Sequence, residues 1–121
     1  MILYRVMHNT TQRGPYRAFA EIDYGHATNR PVPNLDKGLI KACNNDIDML
    51  VQQWCMSGSF AFPSKKAISK WFNYNELYWL ATNDFVVAVF DAKEYIHSSK
   101  QAIFRPDTAK IIDYIHLGAF L

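Results

Sequence analysis

The chain has 121 residues and a mass of 14.0 kDa, which is the size of one domain with its own hydrophobic core. Hydrophobic residues make up 50% and charged residues 20%, a balance that excludes a disordered or low-complexity chain. The net charge of +2 does not indicate a nucleic-acid-binding protein, and no apolar run approaches the roughly 20 residues of a membrane helix. Eight Phe, seven Tyr and three Trp are more rings than a small core can hide, so we expect some at a surface that contacts a partner.

The cysteines and the N-terminus bear on the cellular compartment. Cys43 and Cys55 are too few for a disulfide framework and form no Cys-x-x-Cys motif, so the sequence predicts two reduced, partly buried thiols. The N-terminus lacks the basic start of a signal peptide, and Arg5 and His8 interrupt its apolar run. We therefore expect a cytoplasmic protein.

The first third of the chain indicates two strands followed by a loop. Alternating side chains over residues 2–7 predict a strand, and a looser alternation over residues 16–23 predicts a second one after a Gly-Pro turn. Two prolines exclude a helix interior from residues 24–35. This segment is predicted to be a loop, and its length is typical of functional loops.

Four helices are predicted in the middle of the chain. Asp36 is a plausible N-cap for a first helix, which ends near residue 42, and Asp46 is one for a second. The second helix is predicted to bury one face, formed by Ile47, Leu50, Val51 and Trp54. Ser64 caps the clearest helix, whose apolar stripe consists of Ala67, Ile68, Trp71 and Phe72. A short helix over residues 76–81 follows, with Asn83 as its left-handed C-cap.

The last third of the chain indicates strands. Residues 85–90 are apolar on both faces, as expected for a central strand that is covered on both sides. Residues 91–100 are predicted to be a polar loop, and residues 101–104 a further strand. Residues 111–117 fit either a strand or a helix, and we favour a strand. With residues 60–62 as a short strand, the sum is an α+β fold: a single small domain of about five mostly antiparallel strands, with helices inserted mid-chain.

No motif of defined chemistry is present in the sequence. The four histidines lack the spacing of a metal site, and neither a phosphate loop nor a Gly-x-Ser-x-Gly elbow occurs. The lysines of residues 65–70 favour a solvated helix face over a nucleic-acid patch. Neither a metal nor nucleic acid is therefore expected.

Three features nevertheless invite a functional interpretation. Arg5 lies within an apolar strand, so its charge is either paired or lines a cleft in which an anion binds. Arg13, Tyr16 and Arg17 surround a turn that could hold a phosphate or an acidic partner surface, or could simply be exposed. Gln101 opens a strand after a polar loop, which is usually a structural arrangement.

The order of features resembles a family of small bacteriophage accessory proteins that open with a Tyr-Arg-Val…Gly-Pro-Tyr signature. The segments that carry the resemblance are residues 3–8, 14–17, 30–36, 60–64, 68–72, 85–90 and 101–104. They span nearly the whole chain. The resemblance implies a phage-encoded protein that acts in the cytoplasm of the host cell.

More distantly, the layout is similar to that of mono-ADP-ribosyltransferases. In that resemblance Arg5 matches the position that holds the phosphates and ribose of NAD, and Ser64 matches the one that orders the nicotinamide pocket. Gln101 matches the position of a glutamate whose charge stabilises the transition state. A neutral glutamine supplies no such charge, so the resemblance implies nucleotide binding more than transfer.

Two hypotheses from different classes follow. In the favoured one, the protein needs no cofactor and binds and inhibits a host protein with an acidic surface, for example a component of host defence. The residues expected to contact that partner are Arg13, Tyr16, Arg17, Tyr74 and Tyr78. In the alternative, a cleft formed by the three transferase-like positions binds NAD or a related nucleotide, and either transfers ADP-ribose or sequesters a nucleotide signal.

Overall fold

The computed structural model describes residues 1–15 and 31–121. The predicted strand over residues 16–23 and most of the predicted loop that follows it lie outside these ranges. Within them, the end of that loop forms a 3-10 turn, Pro33–Leu35. No helix of the described ranges is long and apolar enough to cross a membrane.

The described residues form two three-stranded antiparallel sheets. The strands are β1 (Ile2–His8), β2 (Ser59–Ala61), β3 (Phe85–Asp91), β4 (Tyr95–His97), β5 (Ala102–Phe104) and β6 (Lys110–His116). The first sheet has the order β1-β3-β6 and the second the order β2-β5-β4. The helices are α1 (Lys37–Ala42), α2 (Ile47–Met49), α3 (Lys65–Trp71) and α4 (Tyr74–Thr82). The predicted α+β class is therefore confirmed.

The central strand β3 is covered on both faces, as its sequence predicts. Val87 lies on the face that packs against the α3 and α4 helices, in a cluster with Phe62, Trp71 and Leu80. Ala88 lies on the opposite face, which packs against β2 and β5 of the second sheet. The two sheets therefore share a core that is built around one strand.

The caps of three helices follow the sequence signals. The side chains of Asp36, Asp46 and Ser64 each accept a hydrogen bond from a backbone N–H of the first helical turn. The α4 helix begins at Tyr74, earlier than predicted, because Asn73 and Glu76 form a capping box. All four residues of the predicted apolar stripe of α3 are buried.

The predicted buried face of the second helix is wrong in part. Leu50 is fully buried, but Ile47 is 48% exposed, and Val51 and Trp54 are half-buried. The helix continues beyond α2 as a π-helical segment, Leu50–Cys55, in which the Met56 N–H donates to the Val51 carbonyl at 3.1 Å. A π-helix turns through a smaller angle per residue, so a 3.6-residue pattern no longer marks one face.

Two further predictions need correction. Asn83 ends α4 with a φ of −111°, so it is not a left-handed cap, and the left-handed residue is Asp84, with a φ of 67°. The predicted polar loop over residues 91–100 contains β4, a strand of three residues in which only Ile96 is buried. So short a strand leaves too little alternation to be recognised in the sequence.

Candidate functional site

A cavity of about 580 Å³ opens where the edge of the first sheet meets the second sheet. Tyr4 and Phe62 join β1 to the end of β2 through two backbone hydrogen bonds, at 2.9 and 2.7 Å. Farther along β1, the His8 N–H donates to the Arg13 carbonyl at 2.8 Å. Val6 lies between these two points on the same strand edge and lines the cavity.

The backbone of Val6 therefore borders open space. Alternate residues of a strand direct their N–H and C=O groups to the same side, so those of Val6 point outward like those of Tyr4 and His8. Among the described residues, no backbone group forms a hydrogen bond with the N–H or C=O of Val6 on this edge. An edge of this kind offers both a donor and an acceptor to a ligand.

Aromatic and apolar side chains form most of the cavity wall. They come from β2, the start of the segment after it, and the end of α3: Phe60, Ala61, Phe62, Trp71 and Phe72. The π-helical segment contributes Val51 and Cys55, which lie four residues apart. A volume of this size falls in the range of roughly 300–1,000 Å³ that is typical of small-molecule sites.

Arg5 lines the cavity and bonds to the backbone on both sides of it, while the binding of an anion there stays a prediction. Its Nη1 donates to the Phe60 carbonyl at 2.8 Å, and its Nη2 donates to the Gln12 carbonyl at 3.2 Å. Both partners are backbone carbonyls, and the two bonds orient the guanidinium. Arg13 is exposed and also lines the cavity. The two arginines are the only charged side chains among the described residues of the lining.

Gln101 also lines the cavity and is only 3% exposed. It lies one residue before β5 rather than within it, which corrects its predicted place. Its Nε2 donates to the Pro31 carbonyl and to Asp36 Oδ2, both at 2.9 Å. Ser98 Oγ donates to the same carboxylate oxygen at 2.7 Å, and its hydroxyl accepts from the Gln101 N–H at 3.2 Å.

Asp36 is the centre of this buried network. Its other oxygen, Oδ1, accepts from the N–H groups of Gly38 and Leu39 at 3.0 and 3.4 Å, so one carboxylate receives four donors. Asp36 is 4% and Ser98 7% exposed. Sequence reasoning identified Asp36 as a cap but missed its link to Ser98 and Gln101, for which the sequence has no local signal.

Ser64 does not belong to the cavity. It is exposed, it is absent from the described lining, and its Oγ accepts from the Ala67 N–H at 3.0 Å as the N-cap of α3. The structure therefore brings together two of the three transferase-like positions, Arg5 and Gln101, and gives the third a structural role.

The residues predicted to contact a host protein are distributed differently. Tyr74 and Tyr78, one turn apart on α4, are 63% and 55% exposed, while Leu77 and Leu80 of the same helix are buried. Arg13 lies at the cavity. Tyr16 and Arg17 lie outside the described residues.

The two cysteines have free thiols, and Cys43 is buried. Burial raises the pKa of both, and each rise is increased by a neighbouring charge: Asp46 acts on Cys43, and Cys43 acts on Cys55. Cys55 is thus a protonated thiol at the cavity wall at neutral pH. The described residues contain no group of three metal-ligating side chains.

The fold and the site can now be set beside known proteins. A family model described as "Bacteriophage T4 Y00F protein" matches residues 1–118, and the chain belongs to this family. No curated protein and no solved structure matches the chain. The family confirms that this is a small phage protein, while the ADP-ribosyltransferase resemblance stays a prediction.

Proposed function

We propose that this phage protein acts by binding, and that its cavity holds a small anionic ligand with a flat, apolar body. The supporting observation is the composition of the wall, which is cationic at Arg5 and Arg13 and largely aromatic elsewhere. Guanidinium groups bind phosphates, and aromatic side chains stack on flat rings. Nucleotides combine both features, so we take them as the ligand class.

Sequestration of a nucleotide is a better proposal than transfer of ADP-ribose. Gln101 replaces the glutamate of the transferase pattern, and its Nε2 donates to Asp36 Oδ2 at 2.9 Å. A glutamate at this place would set a second carboxylate against the buried Asp36, and like charges in a buried site oppose each other. A nucleotide held in the cavity is withheld from host proteins, which suits a phage accessory protein that blocks a host signal.

Ligand-induced stabilisation tests this proposal. AMP, ADP-ribose and NAD at saturating concentration are expected to raise Tm by a few degrees, since a ligand that binds only the folded state stabilises it. Arg13→Glu is expected to weaken binding about tenfold, whereas Lys93→Glu, at an exposed lysine outside the lining, leaves it unchanged. The proposal fails if no compound shifts Tm, or if the two variants behave alike.

A second candidate function is the inhibition of a host protein through α4. The observation that favours it is the exposure of Tyr74 and Tyr78, because a tyrosine ring presents an apolar body and a polar tip and is common at interfaces. Arg13 would add attraction to an acidic partner surface. This candidate retains the host-protein hypothesis that the sequence favours.

Capture from host lysate can distinguish this candidate from the first. The double variant Tyr74→Ser/Tyr78→Ser is expected to capture at least tenfold less of one dominant partner than the unmodified protein does. Tyr114→Ser, at a similarly exposed tyrosine on β6, is the matched control and is expected to retain it. Equal capture by both variants would remove α4 from the interface.

A further inference from the structure

The side-chain amide of Gln101 is held in one orientation. Both N–H bonds of Nε2 have acceptors, the Pro31 carbonyl and Asp36 Oδ2, each at 2.9 Å. Neither acceptor can donate in place of the amide nitrogen, because one is a carbonyl and the other a carboxylate. A flipped amide would set Oε1 against both, so the positions of nitrogen and oxygen are unambiguous.

The other atom of this amide, Oε1, has accepting capacity left over. No described residue donates a hydrogen bond to it. Among the described residues, every fully buried side-chain nitrogen or oxygen has a hydrogen-bond partner. Because Oε1 has none, it is not fully buried and keeps some access to open space. Gln101 is 3% exposed in all, and the open space that it contacts is the cavity.

We infer that Gln101 determines the specificity of the cavity: its Oε1 accepts a hydrogen bond from an exocyclic amino group of the ligand. The inference rests on the proposed function, since it concerns the same cavity, and it narrows the ligand class. The ligand is then a flat, anionic, amino-substituted heteroaromatic compound, in which the phosphate meets the arginines and the amino group meets Gln101.

The buried network makes this discrimination strong. An amide that could rotate would offer its nitrogen to a ligand carbonyl and its oxygen to a ligand amine, and would accept either. Here rotation would break the bonds to Pro31 and Asp36 inside a buried cluster, which costs more than one ligand contact returns. A ligand carbonyl facing Oε1 therefore meets an acceptor and is rejected.

Four nucleoside monophosphates test the inference on the unmodified protein. AMP and IMP differ in having an amino or a carbonyl group at the same ring position, and CMP and UMP differ in the same way on a smaller ring. We expect the amino member of each pair to bind at least tenfold more tightly by calorimetry, whichever ring size fits better. Equal affinities within both pairs, or a preference for the carbonyl members, overturn the inference but leave nucleotide binding intact. Failure of all four to bind overturns the proposed function, and the inference with it.

A variant shows whether Gln101 is the group responsible. Gln101→Met keeps the length of the side chain and removes the acceptor, so the ratio within each pair is expected to fall to about one. The amino members lose a hydrogen bond, and the carbonyl members no longer face an opposing acceptor. Gln52→Met is the matched control, because it makes the same change at an exposed glutamine outside the described lining. It is expected to keep the ratio. A role of Gln101 in folding alone would weaken all four compounds equally, and that result contradicts the inference.

Discussion

The polar side chains on the two sides of the cavity are held in opposite ways. On one side, Arg5 and Arg13 are half-buried and exposed, and the bonds of Arg5 to Phe60 and Gln12 end on backbone carbonyls. On the other side, Gln101 lines the cavity and is bonded to a buried network formed with Asp36 and Ser98, which lie outside the described lining. A solvated charge attracts an anion over some distance but is screened by salt. A buried network has a single geometry, so under the proposed function Gln101 selects the ligand and the arginines attract it.

The largest effect is expected when the buried network loses Asp36, its shared acceptor. Asp36→Ala removes the acceptor of four hydrogen bonds and leaves buried donors unpaired, so we expect the free energy of unfolding to fall by about 3 kcal/mol. Asp46→Ala is the matched control, since Asp46 caps α2 from an exposed position through one bond to the Met49 N–H. Its expected cost is about 1 kcal/mol. Urea unfolding measures both, and equal costs would refute the distinction between the two caps.

A smaller loss is expected at Gly38, in the first turn of α1. A Cβ there would lie 2.6 Å from the Ser98 Cβ, so Gly38→Ala forces the network apart and is expected to destabilise the fold by about 2 kcal/mol. Helix propensity alone predicts the opposite sign, a gain of about 1 kcal/mol. The sign of the change in Tm therefore distinguishes the steric effect from the effect of helix propensity. A higher Tm would show that Ser98 can move away from the new Cβ.

A variant at Ser64 distinguishes an effect on the stability of α3 from an effect on ligand binding in the cavity. Ser64→Ala removes the N-cap bond to the Ala67 N–H and is expected to cost about 1 kcal/mol, without changing nucleotide affinity. The measurement is a pair of titrations on a variant whose folding has been confirmed by circular dichroism. Weaker binding with unchanged stability would return Ser64 to the site, as the transferase resemblance implies.

The smallest effect concerns reaction rate rather than stability. The raised pKa of Cys55 means that the folded protein favours the protonated thiol, and that alkylation by iodoacetamide at pH 8 is slower than for free cysteine. The rate rises only as the pH passes the raised pKa. The raised pKa also contributes to the free energy of unfolding. This contribution is complete below the ordinary thiol pKa and is lost as the pH rises through the raised pKa of the folded protein. Nucleotide is expected to slow alkylation of Cys55 further, because this thiol lines the cavity. Mass spectrometry follows the rate, and a midpoint at or below that of free cysteine would contradict the expectation.

Local patterns predicted much of the fold, because the interactions that they report lie within a few residues. The caps at Asp36, Asp46 and Ser64 each bond within the next three residues. The run over residues 85–90 indicates burial on both faces directly from its composition. The π-helical segment was not predicted, because no residue type in the sequence marks the change from 3.6 residues per turn to the wider π-helical turn.

The sequence by itself therefore determined the class of fold, the central strand, three helix starts and the membership of a phage family. It also singled out Arg5 and Gln101, which line one cavity. Only the tertiary structure decided which groups these residues contact. Gln101 meets Asp36 across 65 residues of chain and Arg5 meets Phe60 across 55, and no pattern within one segment reports such pairs. Long-range pairing depends on how the two sheets pack, and that packing places the glutamine and the arginine at one cavity and bonds the glutamine to a helix cap.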